Sequence, residues 1–354
     1  MSSKSLPVLI FNSVTPKMNG GVKKFVDELI EGFRSKDIQV IDQIGSQQKG
    51  IQLNFKQMLA LYLKNLKKVK IVHFIVLSPY NVPFVILAKL FRKKIITSYH
   101  GIFFEESSPL KEPHIFIPFW IADKIFRSCS DMITSPSAYL LDEMKISHKA
   151  MIIPLPFNTK SLELEFSRLP ESSSKEITLV TASNFDIEKK SRPLIFLLEA
   201  MGRISKQFDS VKLLVFGDGT NLDKFREENI SKNHVIFMGF RDDFRNFLAN
   251  SVAYVHISGL DTQSYAIIEA MMLGKVVLCN DLKGITQTIE PKNNYVVSLD
   301  STSITNGLRS MIIDIKENRD LFNEKGKQNK KFALEKYSSD IIIEKFCELY
   351  ESFL

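Results

Sequence analysis

The sequence predicts an α/β protein built from two Rossmann-like domains whose parallel sheets face a central cleft. Short apolar runs typical of buried strands alternate with helical segments along most of the chain, and this alternation indicates parallel sheets covered by helices. A polar connector with Pro170 and the serine run 172–174 interrupts the alternation. The length of 354 residues exceeds what a single hydrophobic core usually serves, so two domains are expected.

The chain opens with a strand, a glycine turn and a helix. Leu6 to Phe11 is apolar throughout, and Gly20 and Gly21 follow it after a short loop. Apolar residues then recur at helical spacing, which indicates one buried helix face. The members of that face are Val22, Phe25, Val26, Leu29, Ile30 and Phe33.

Eleven further strands are predicted, five before the connector and six after it. Those before it are Ile38–Ile41, Ile71–Leu77, Ile95–Tyr99, Met132–Ser135 and Ala150–Pro154. Those after it are Ile177–Ala182, Leu213–Gly217, Val235–Gly239, Ala253–Ser258, Val276–Asn280 and Tyr295–Leu299. The predicted domains are residues 1–160 and 161–335, with a C-terminal helix, residues 336–354, packing back towards the first domain.

The net charge of +7 is unevenly distributed. Residues 1–160 hold 22 Lys and Arg against 12 Asp and Glu, a balance of +10, whereas the remainder carries −3. A basic first half favours an anionic partner such as phosphate groups or a membrane surface. Scattered solvated lysines are the alternative interpretation.

Cysteine usage and hydropathy favour a cytoplasmic protein. Cys129, Cys279 and Cys347 are far apart and odd in number, so they form no disulfide framework or metal-ligand pair. The N-terminus lacks the length and the cleavage site of a signal peptide. Polar residues interrupt the apolar segment from Ile71 to Phe91, which therefore predicts a strand, a loop and a helix instead of a membrane span.

The segment from Asp261 to Gly274 carries the strongest functional signal. It follows a predicted strand, and Ser264 is the expected N-cap of a short helix that ends at Gly274. Asp261 then lies in the loop and Glu269 on the second helical turn. The backbone amides near Ser264 and Tyr265 form an anion site at the helix N-terminus.

This segment resembles the E-x7-E motif of retaining GT-B glycosyltransferases, especially those of family 4 (glycosyl transferases group 1). Asp261 and Glu269 are eight residues apart, and Ala-Met follows the second acid. The resemblance implies that Glu269 binds the ribose of a nucleotide and that Asp261 contacts the donor sugar. The sequence departs from the motif by having Asp at position 261, and Thr262 and Ser264 replace the usual glycines.

The loop after the first strand of the second domain resembles the diphosphate-binding segment of the same family. Lys189 matches the family's lysine, but Asn184 occupies the position of its arginine. Lys190 or Arg192 is expected to compensate, since a diphosphate in a cleft requires at least one fixed cation. Solvent exposure is the alternative for a lysine in a polar loop.

Two features of the first domain extend the resemblance. Gly20 and Gly21 resemble its N-terminal glycine loop, where backbone approaches a phosphate or sugar. His100 follows a predicted strand and resembles the histidine that lies by the donor sugar, and Glu105 is a candidate on the acceptor side.

The remaining loops of the second domain also match the family. Gly217 begins a glycine turn that resembles a wall of the donor cleft. Arg241 follows the next strand, in a loop that resembles the one beside the nucleotide base, and it either touches the base or is solvated. Asp281 and Gly284 resemble the loop whose backbone approaches the sugar.

The resemblance implies a metal-independent, retaining glycosyltransferase that takes a nucleotide-diphosphate sugar as donor and needs no cofactor. The chain contains no Asp-x-Asp, Walker loop or His-Glu-x-x-His sequence. A non-catalytic relative that binds a nucleotide sugar or partners an active transferase remains the alternative. A pyridoxal-phosphate phosphorylase would be much longer, and no recognised motif supports nucleic-acid binding.

The acceptor is predicted to be a glycan or a lipid-linked molecule. Aromatic and basic residues mix in Lys56–Lys70 and His114–Arg127. Within the second segment, the aromatic side chains either line an acceptor groove, dock on a membrane or pack in a helical core. These side chains are Phe116, Phe119, Trp120 and Phe126.

Overall fold

The structure is a computed structural model that describes residues 4–12, 20–44, 47–48, 51–52, 54–75, 77–102, 118–159, 176–227 and 234–354. The chain divides into two compact units. The first unit comprises Met1–Asn158 and Tyr337–Leu354, and the second comprises Thr159–Lys336. From sequence, the domain divisions are predicted after residues 160 and 335.

The first unit is built on a six-stranded parallel sheet in the order β2-β1-β5-β6-β7-β8. Its strands are β1 (Lys4–Asn12), β2 (Ile38–Ile44), β5 (Ile71–Phe74), β6 (Lys94–Ser98), β7 (Met132–Ser135) and β8 (Ala150–Ile152). A short antiparallel pair joins β3 (Gln47–Gln48) and β4 (Ile51–Gln52). The helices are α1 (Gly21–Ser35), α2 (Phe55–Leu66), a 3-10 turn (Pro79–Asn81), α3 (Val82–Leu90), α4 (Phe119–Cys129), α5 (Ala138–Glu143) and α14 (Ser339–Glu351).

Apolar burial explains why the chain ends in the first unit. The predicted apolar face of α1 is buried from Phe25 to Phe33, and α14 packs against it. The ring centroid of Phe33 lies 6.0 Å from the ring centroid of Tyr350. Lys36 Nζ donates to Glu344 at 2.9 Å at the edge of this contact. The apolar stripe of α14 thus covers a face of α1 that would otherwise meet water.

The second unit contains a parallel sheet in the order β11-β10-β9-β12-β13-β14. Its strands are β9 (Ile177–Ala182), β10 (Val211–Phe216), β11 (Val235–Gly239), β12 (Ala253–His256), β13 (Val276–Asn280) and β14 (Tyr295–Val297). Counted along this unit, the order is 3-2-1-4-5-6, which is that of a dinucleotide-binding Rossmann sheet. The helices are α6 (Glu188–Ser191), α7 (Leu194–Ile204), α8 (Leu222–Glu227), α9 (Phe244–Asn250), α10 (Tyr265–Met272), α11 (Lys283–Thr286), a 3-10 turn (Pro291–Asn293), α12 (Ser301–Glu317) and α13 (Arg319–Tyr337).

Helices cover the sheet of the second unit and bury its central strands. Every residue of β12 and β13 is buried. Side chains of α7 and α12, among them Leu197 and Met311, join one apolar core with residues of the strands. Because the sheet is buried on both faces, its chemically active residues lie where the strands end.

The fold prediction is confirmed: the protein is α/β, with two six-stranded parallel sheets. Each of the twelve predicted strands is present, and the four segments at 132–135, 177–182, 235–239 and 276–280 have the predicted bounds. The apolar segment from residue 71 forms β5, the 3-10 turn and α3. Among the described residues, no helix combines the length and the apolar character needed to cross a membrane.

Candidate functional site

The candidate site of the second unit lies at the carboxyl ends of its strands. The order of the sheet reverses between β9 and β12, which are neighbours in space but not in sequence. Ligands of open α/β sheets bind at such a switch point. The segment that follows β9 carries the predicted residues Lys189 and Lys190 on α6, and the loop that follows β12 carries Asp261.

The helix after β12 is capped as predicted at both ends. Ser264 is the N-cap of α10, and its side chain accepts a hydrogen bond from the amide of Ile267 at 3.4 Å. Gly274 has a φ of 70°, and the amide of Lys275 donates to Ala270 O at 2.9 Å. This is a Schellman motif, which glycine favours because it adopts positive φ without strain. Glu269 therefore lies on the second turn, as the sequence predicts.

Hydrogen bonds fix the loop between β12 and α10. Asn280, the last residue of β13, accepts from the amide of Ser258 at 2.9 Å and donates to its carbonyl at 3.0 Å. The amide of Gly259 donates to the carbonyl of Lys189 at 3.1 Å. A Cβ at position 259 would lie 2.8 Å from that carbonyl oxygen, so glycine permits the close approach of α6.

Asp261 is buried among polar and charged groups. Its Oδ2 lies 3.0 Å from Nε2 of His256, and 12% of its side chain is exposed. Burial acts to raise its pKa, but Lys190 and the hydrogen bond from His256 outweigh that effect, so the pKa of Asp261 lies below its usual value. Asp261 is therefore an ionised carboxylate at neutral pH.

Glu269 pairs with an arginine of the neighbouring helix. Nε of Arg245, on α9, lies 3.1 Å from Oε1 of Glu269, and the two side chains are 23% and 10% exposed. A largely buried carboxylate requires such a partner, because an unpaired buried charge is costly. Arg245 sets the orientation in which Glu269 reaches the site.

A glycine turn supports the loop after β9. Gly217 and Gly219 have φ values of 129° and 143°. A Cβ at Gly217 would lie 1.8 Å from the carbonyl oxygen of Ser183, and one at Gly219 would lie 2.3 Å from the amide nitrogen of Asp186. Glycine is thus required at both positions, since any side chain would displace the loop that carries the lysines.

The polar side chains of the 183–190 loop have different roles in the structure. Oδ1 of Asn184 accepts from the amide of Asp186 at 2.8 Å, so this side chain stabilises the loop at the position where the related family has arginine. Lys189 is exposed, whereas Lys190 is half-buried and interacts electrostatically with Asp261. The structure thus brings Lys190 within electrostatic reach of Asp261.

Ser264 and Tyr265 are buried at the start of α10.

Arg241 is exposed after β11 and forms a two-point ion pair with Asp243, at 2.7 and 2.8 Å. Its guanidinium also lies 5.0 Å from the ring centroid of Phe247. Contact between Arg241 and a nucleotide base stays a prediction.

Two predicted features of the first unit lie on adjacent elements. Gly20, with a φ of 139°, is the N-cap of α1, and Gly21 is its first residue. His100 follows β6, and its ring centroid lies 4.3 Å from that of Phe25 on α1. Burial lowers the pKa of His100 to about 3, so the imidazole is neutral at physiological pH. Glu105, His114 and Phe116 lie outside the described residues.

The sequence does not mark Tyr254, His256 or Arg245 as functional residues. Tyr254 and His256 were part of an apolar strand pattern, although a histidine at the carboxyl end of a strand is itself a signal. Arg245 was one of many cations on helices, and only its tertiary contact with Glu269 distinguishes it.

The second unit matches a known protein family. Residues 176–314 match the model of the family Glycosyl transferases group 1. The predicted resemblance to group 1 glycosyltransferases is confirmed. The matched residues contain the two lysines, Asp261 and Glu269, and thus the candidate site of the second unit.

A curated relative is similar to part of the chain. The chain is 28% identical to poly(ribitol-phosphate) alpha-N-acetylglucosaminyltransferase of Staphylococcus aureus strain COL over an alignment of 162 residues. This alignment covers 44% of the chain. The match spans 32% of that relative, so the chain aligns with about a third of its length.

Solved structures share the fold of the whole chain. Anabaena Alr3699/HepE, in complex with UDP-glucose, is similar with a TM-score of 0.73 and 14% identity, covering 98% of this chain and 99% of that one. Sucrose-phosphate synthase from Thermosynechococcus elongatus is similar with a TM-score of 0.72 and 15% identity, covering 98% of both chains. At such identities the likeness establishes the GT-B fold alone.

Within the described ranges, no three or more His, Cys, Asp or Glu side chains are arranged to hold a metal ion.

Proposed function

We propose that this protein is a retaining, metal-independent glycosyltransferase of the family 4 type, which transfers a sugar from a nucleotide-diphosphate sugar to a glycan or lipid-linked acceptor. The observation that carries the proposal is the arrangement at the switch point of the second sheet. There, an ionised Asp261 with a nearby Lys190 and a paired Glu269 follow strand β12. The match to group 1 glycosyltransferases over this unit supports it.

The donor is held through its nucleotide by α10. The carboxylate of Glu269 accepts hydrogen bonds from the ribose diol, and Arg245 holds that carboxylate in place. The N-terminal amides of α10 face the diphosphate, since a helix N-terminus favours negative charge. Asp261 accepts a hydrogen bond from a hydroxyl of the donor sugar.

Departure of the diphosphate is the step that needs electrostatic assistance. As the glycosidic C–O bond breaks, negative charge develops on the leaving phosphate oxygen. Lys189 and Lys190 on α6 and the amides of α10 stabilise that charge, which accounts for a reaction without a metal ion. The acceptor hydroxyl then attacks the face from which the leaving group departs and gives its proton to the leaving phosphate oxygen, and retention results.

A uridine nucleotide is the first donor to test, because a structural neighbour suggests it. The structural neighbour was crystallised with UDP-glucose, and the curated relative is named as an N-acetylglucosaminyltransferase. Thermal stabilisation by UDP and by GDP, followed by hydrolysis of UDP-glucose, UDP-GlcNAc and GDP-mannose, would identify the donor. Absence of stabilisation and of hydrolysis with all of them would contradict the proposal.

Replacement of Glu269 tests the ribose assignment. In Glu269→Gln the charge and one strong acceptor are lost at constant volume, so the affinity for the nucleoside diphosphate should fall at least about tenfold, or ~1.4 kcal/mol. Isothermal titration calorimetry measures the affinity of each variant for the nucleoside diphosphate. Glu199→Ala, an exposed carboxylate on α7, is the matched control and should bind as the wild type does. Equal affinity in Glu269→Gln would refute the assignment.

Two measurements address the mechanism. Addition of EDTA should leave the rate unchanged, and NMR of the anomeric proton in the product should show the configuration of the donor. A rate that falls with EDTA and recovers with a divalent ion would overturn metal independence, and an inverted product would overturn retention.

Peripheral contact with a membrane at the cytoplasmic face is part of the proposal. Residues 43–104 contain ten Lys and Arg and no Asp or Glu. Within and beside this segment, α3 contacts both α2 and α4, so the three helices lie side by side. Large apolar side chains are exposed there: Phe55, Tyr80, Ile86, Leu90, Phe91 and Trp120.

Cations accompany the exposed apolar residues of these helices. Lys124 Nζ lies 5.1 Å from the ring centroid of Trp120. On α3, Lys89 lies three residues after Ile86 and directly before Leu90. Cations alone suit any polyanion, but a side chain such as Leu90, which is 71% exposed, gains only from entering an apolar phase. The combination favours an anionic lipid surface.

Leu90→Ser tests this contact. Co-sedimentation with vesicles of phosphatidylglycerol and phosphatidylcholine should fall, because Leu90 no longer enters the bilayer. Leu321→Ser is the matched control, since Leu321 is exposed to 58% on α13 of the second unit. Binding of the wild type to neither anionic nor neutral vesicles would refute the contact, and unchanged binding of Leu90→Ser would refute the role of α3.

A non-catalytic nucleotide-sugar-binding relative is the second candidate. The replacement of arginine by Asn184, whose side chain stabilises its own loop, favours it. Donor hydrolysis without acceptor would exclude it.

A further inference from the structure

His256 joins two side chains that the proposed mechanism does not connect. Tyr254 and His256 are two residues apart on β12, so their side chains lie on the same face of the sheet. Nδ1 of His256 lies 3.2 Å from the hydroxyl of Tyr254, and Nε2 lies 3.0 Å from Oδ2 of Asp261. Tyr254 and His256 are both buried. Both ring nitrogens of His256 are thus engaged, and the chain of contacts ends at the sugar-side carboxylate.

The hydrogen-bond chemistry assigns the protons along this chain. Asp261 is ionised and can only accept, so Nε2 of His256 must carry a hydrogen. Burial and the charge of Asp261 raise the pKa of Tyr254, which keeps its hydroxyl protonated. If Nδ1 carries no hydrogen, it accepts from this hydroxyl, and the Nε2–H tautomer then satisfies every group.

We propose that His256 is a positioning residue, fixed in one tautomer by Tyr254, which holds the carboxylate of Asp261 towards the donor sugar; this inference rests on the proposed function. Aspartate is one methylene shorter than the glutamate of the family motif, so its reach is shorter by about 1.5 Å. A short carboxylate must be held in one rotamer to meet a hydroxyl at a fixed position. His256 supplies that constraint by binding Oδ2.

Lys190 explains why the constraint matters. It interacts electrostatically with Asp261 and lies on the helix that faces the diphosphate in the proposed function. Without the hydrogen bond from His256, the carboxylate is free to turn towards the ammonium group. Each ion then neutralises the other, and both the sugar contact and the stabilisation of the leaving group weaken.

A second buried histidine provides the matched control. Nδ1 of His73, on β5 of the first unit, lies 2.8 Å from the hydroxyl of Tyr350, and Nε2 lies 2.7 Å from Oγ of Ser98. Like His256, it is buried and has a tyrosine partner, but its other partner is a neutral hydroxyl. Replacement of His73 therefore reports the general cost of removing a buried histidine.

The experiment compares His256→Leu, His256→Gln, Tyr254→Phe and His73→Leu. The kinetic readout is kcat and KM with the nucleotide sugar that the wild type hydrolyses, and the binding readout is the affinity for UDP or GDP. A displaced catalytic group costs up to ~10²-fold in rate. His256→Leu should therefore lose at least about tenfold in kcat while its nucleotide affinity stays within about twofold of the wild type. In His256→Gln the side-chain amide still donates to Asp261, so kcat should largely recover.

The tautomer gives a readout that needs no turnover. Nitrogen-15 NMR of the protein should show Nε2 of His256 protonated and Nδ1 unprotonated, and Tyr254→Phe should weaken this preference. The opposite tautomer in the wild type, or a hydrogen on both ring nitrogens, would overturn the inference.

The kinetic outcomes separate the inference from the proposed function. A wild-type kcat in His256→Leu, or a matching loss in His73→Leu, would show a merely structural histidine. A loss of nucleotide affinity in His256→Leu would show that His256 acts on the nucleotide instead of Asp261. If the wild type neither binds nor hydrolyses any nucleotide sugar, the proposed function fails, whatever the tautomer of His256.

Discussion

At the scale of single residues, the charged groups of the site are held by partners that the sequence does not mark. Asp261 is bonded to His256, and Glu269 to Arg245. Each partner lies at least five residues from its carboxylate in the sequence, and the two are not on the same helix or strand. The two acids were predictable from their spacing, whereas their orientations depend on contacts that only the folded chain creates.

Lys275 gives a pH-dependent prediction at this scale. It follows α10, and its ammonium group donates to the carbonyls of Ala249 and Ser251 at 2.6 and 2.7 Å. Burial, with a contribution from the charge of Arg319, lowers its pKa from 10.5 to about 8. Between these two values the unfolded chain binds more protons than the folded one, so the free energy of unfolding gains a contribution that rises with pH.

Lys275→Met removes that contribution. The free energy of unfolding is measured by chemical denaturation between pH 8 and 10.5. Over this range it should rise less with pH, or fall more steeply, in Lys275→Met than in the wild type. Lys330→Met, which replaces an exposed lysine on α13, should behave as the wild type does. Parallel pH profiles for the wild type and Lys275→Met would contradict the low pKa of Lys275.

At the scale of elements, the glycine turn after β10 determines where the lysine loop lies. The amide of Phe185 donates to the carbonyl of Asp218 at 2.9 Å, and Gly217 and Gly219 leave no room for a side chain. The sequence predicted a cleft wall at this turn. The structure adds that the turn packs against residues 183–186, which lead directly to α6.

Gly217→Ala tests that packing. A Cβ placed 1.8 Å from Ser183 O at a φ of 129° must shift the loop, so stability should fall by roughly 1–3 kcal/mol and nucleotide binding should weaken. Gly202→Ala on α7 is the control, because a Cβ added there would meet no neighbouring atom within 4 Å. Alanine also has a higher helix propensity than glycine. Gly202→Ala should stabilise the protein by up to about 1 kcal/mol. Equal melting temperatures for the two variants would argue against the packing role.

At the scale of the whole molecule, the chain separates charge between its two halves. The basic excess of residues 1–160 lies largely in the segment 43–104, which has no carboxylate to offset its ten cations. Many of these cations are exposed on α2 and on the turns that follow α2 and α3. Such a concentration of positive charge attracts anionic partners, and salt weakens the attraction.

The paired substitution Lys67→Ala and Lys68→Ala tests the electrostatic part of membrane contact. Each basic residue near an anionic bilayer contributes about 1 kcal/mol, so vesicle binding should weaken by an order of magnitude or more at low salt. Lys330→Ala with Lys331→Ala, on α13, removes the same charge from the second unit. If both pairs weaken binding equally, net charge acts instead of a defined face, and the proposed surface is wrong.

The sequence by itself determined the α/β class, the positions of the strands and the acids at the end of β12. These features depend on local patterns: apolar runs bounded by turns, a serine cap, a helix-ending glycine and a spacing of eight residues. Only the tertiary structure decided that Lys190 approaches Asp261, that Arg245 orients Glu269 and that His256 links Tyr254 to Asp261. The physical reason is that the parallel sheet order places β9 beside β12, which brings together loops separated by about seventy residues of chain.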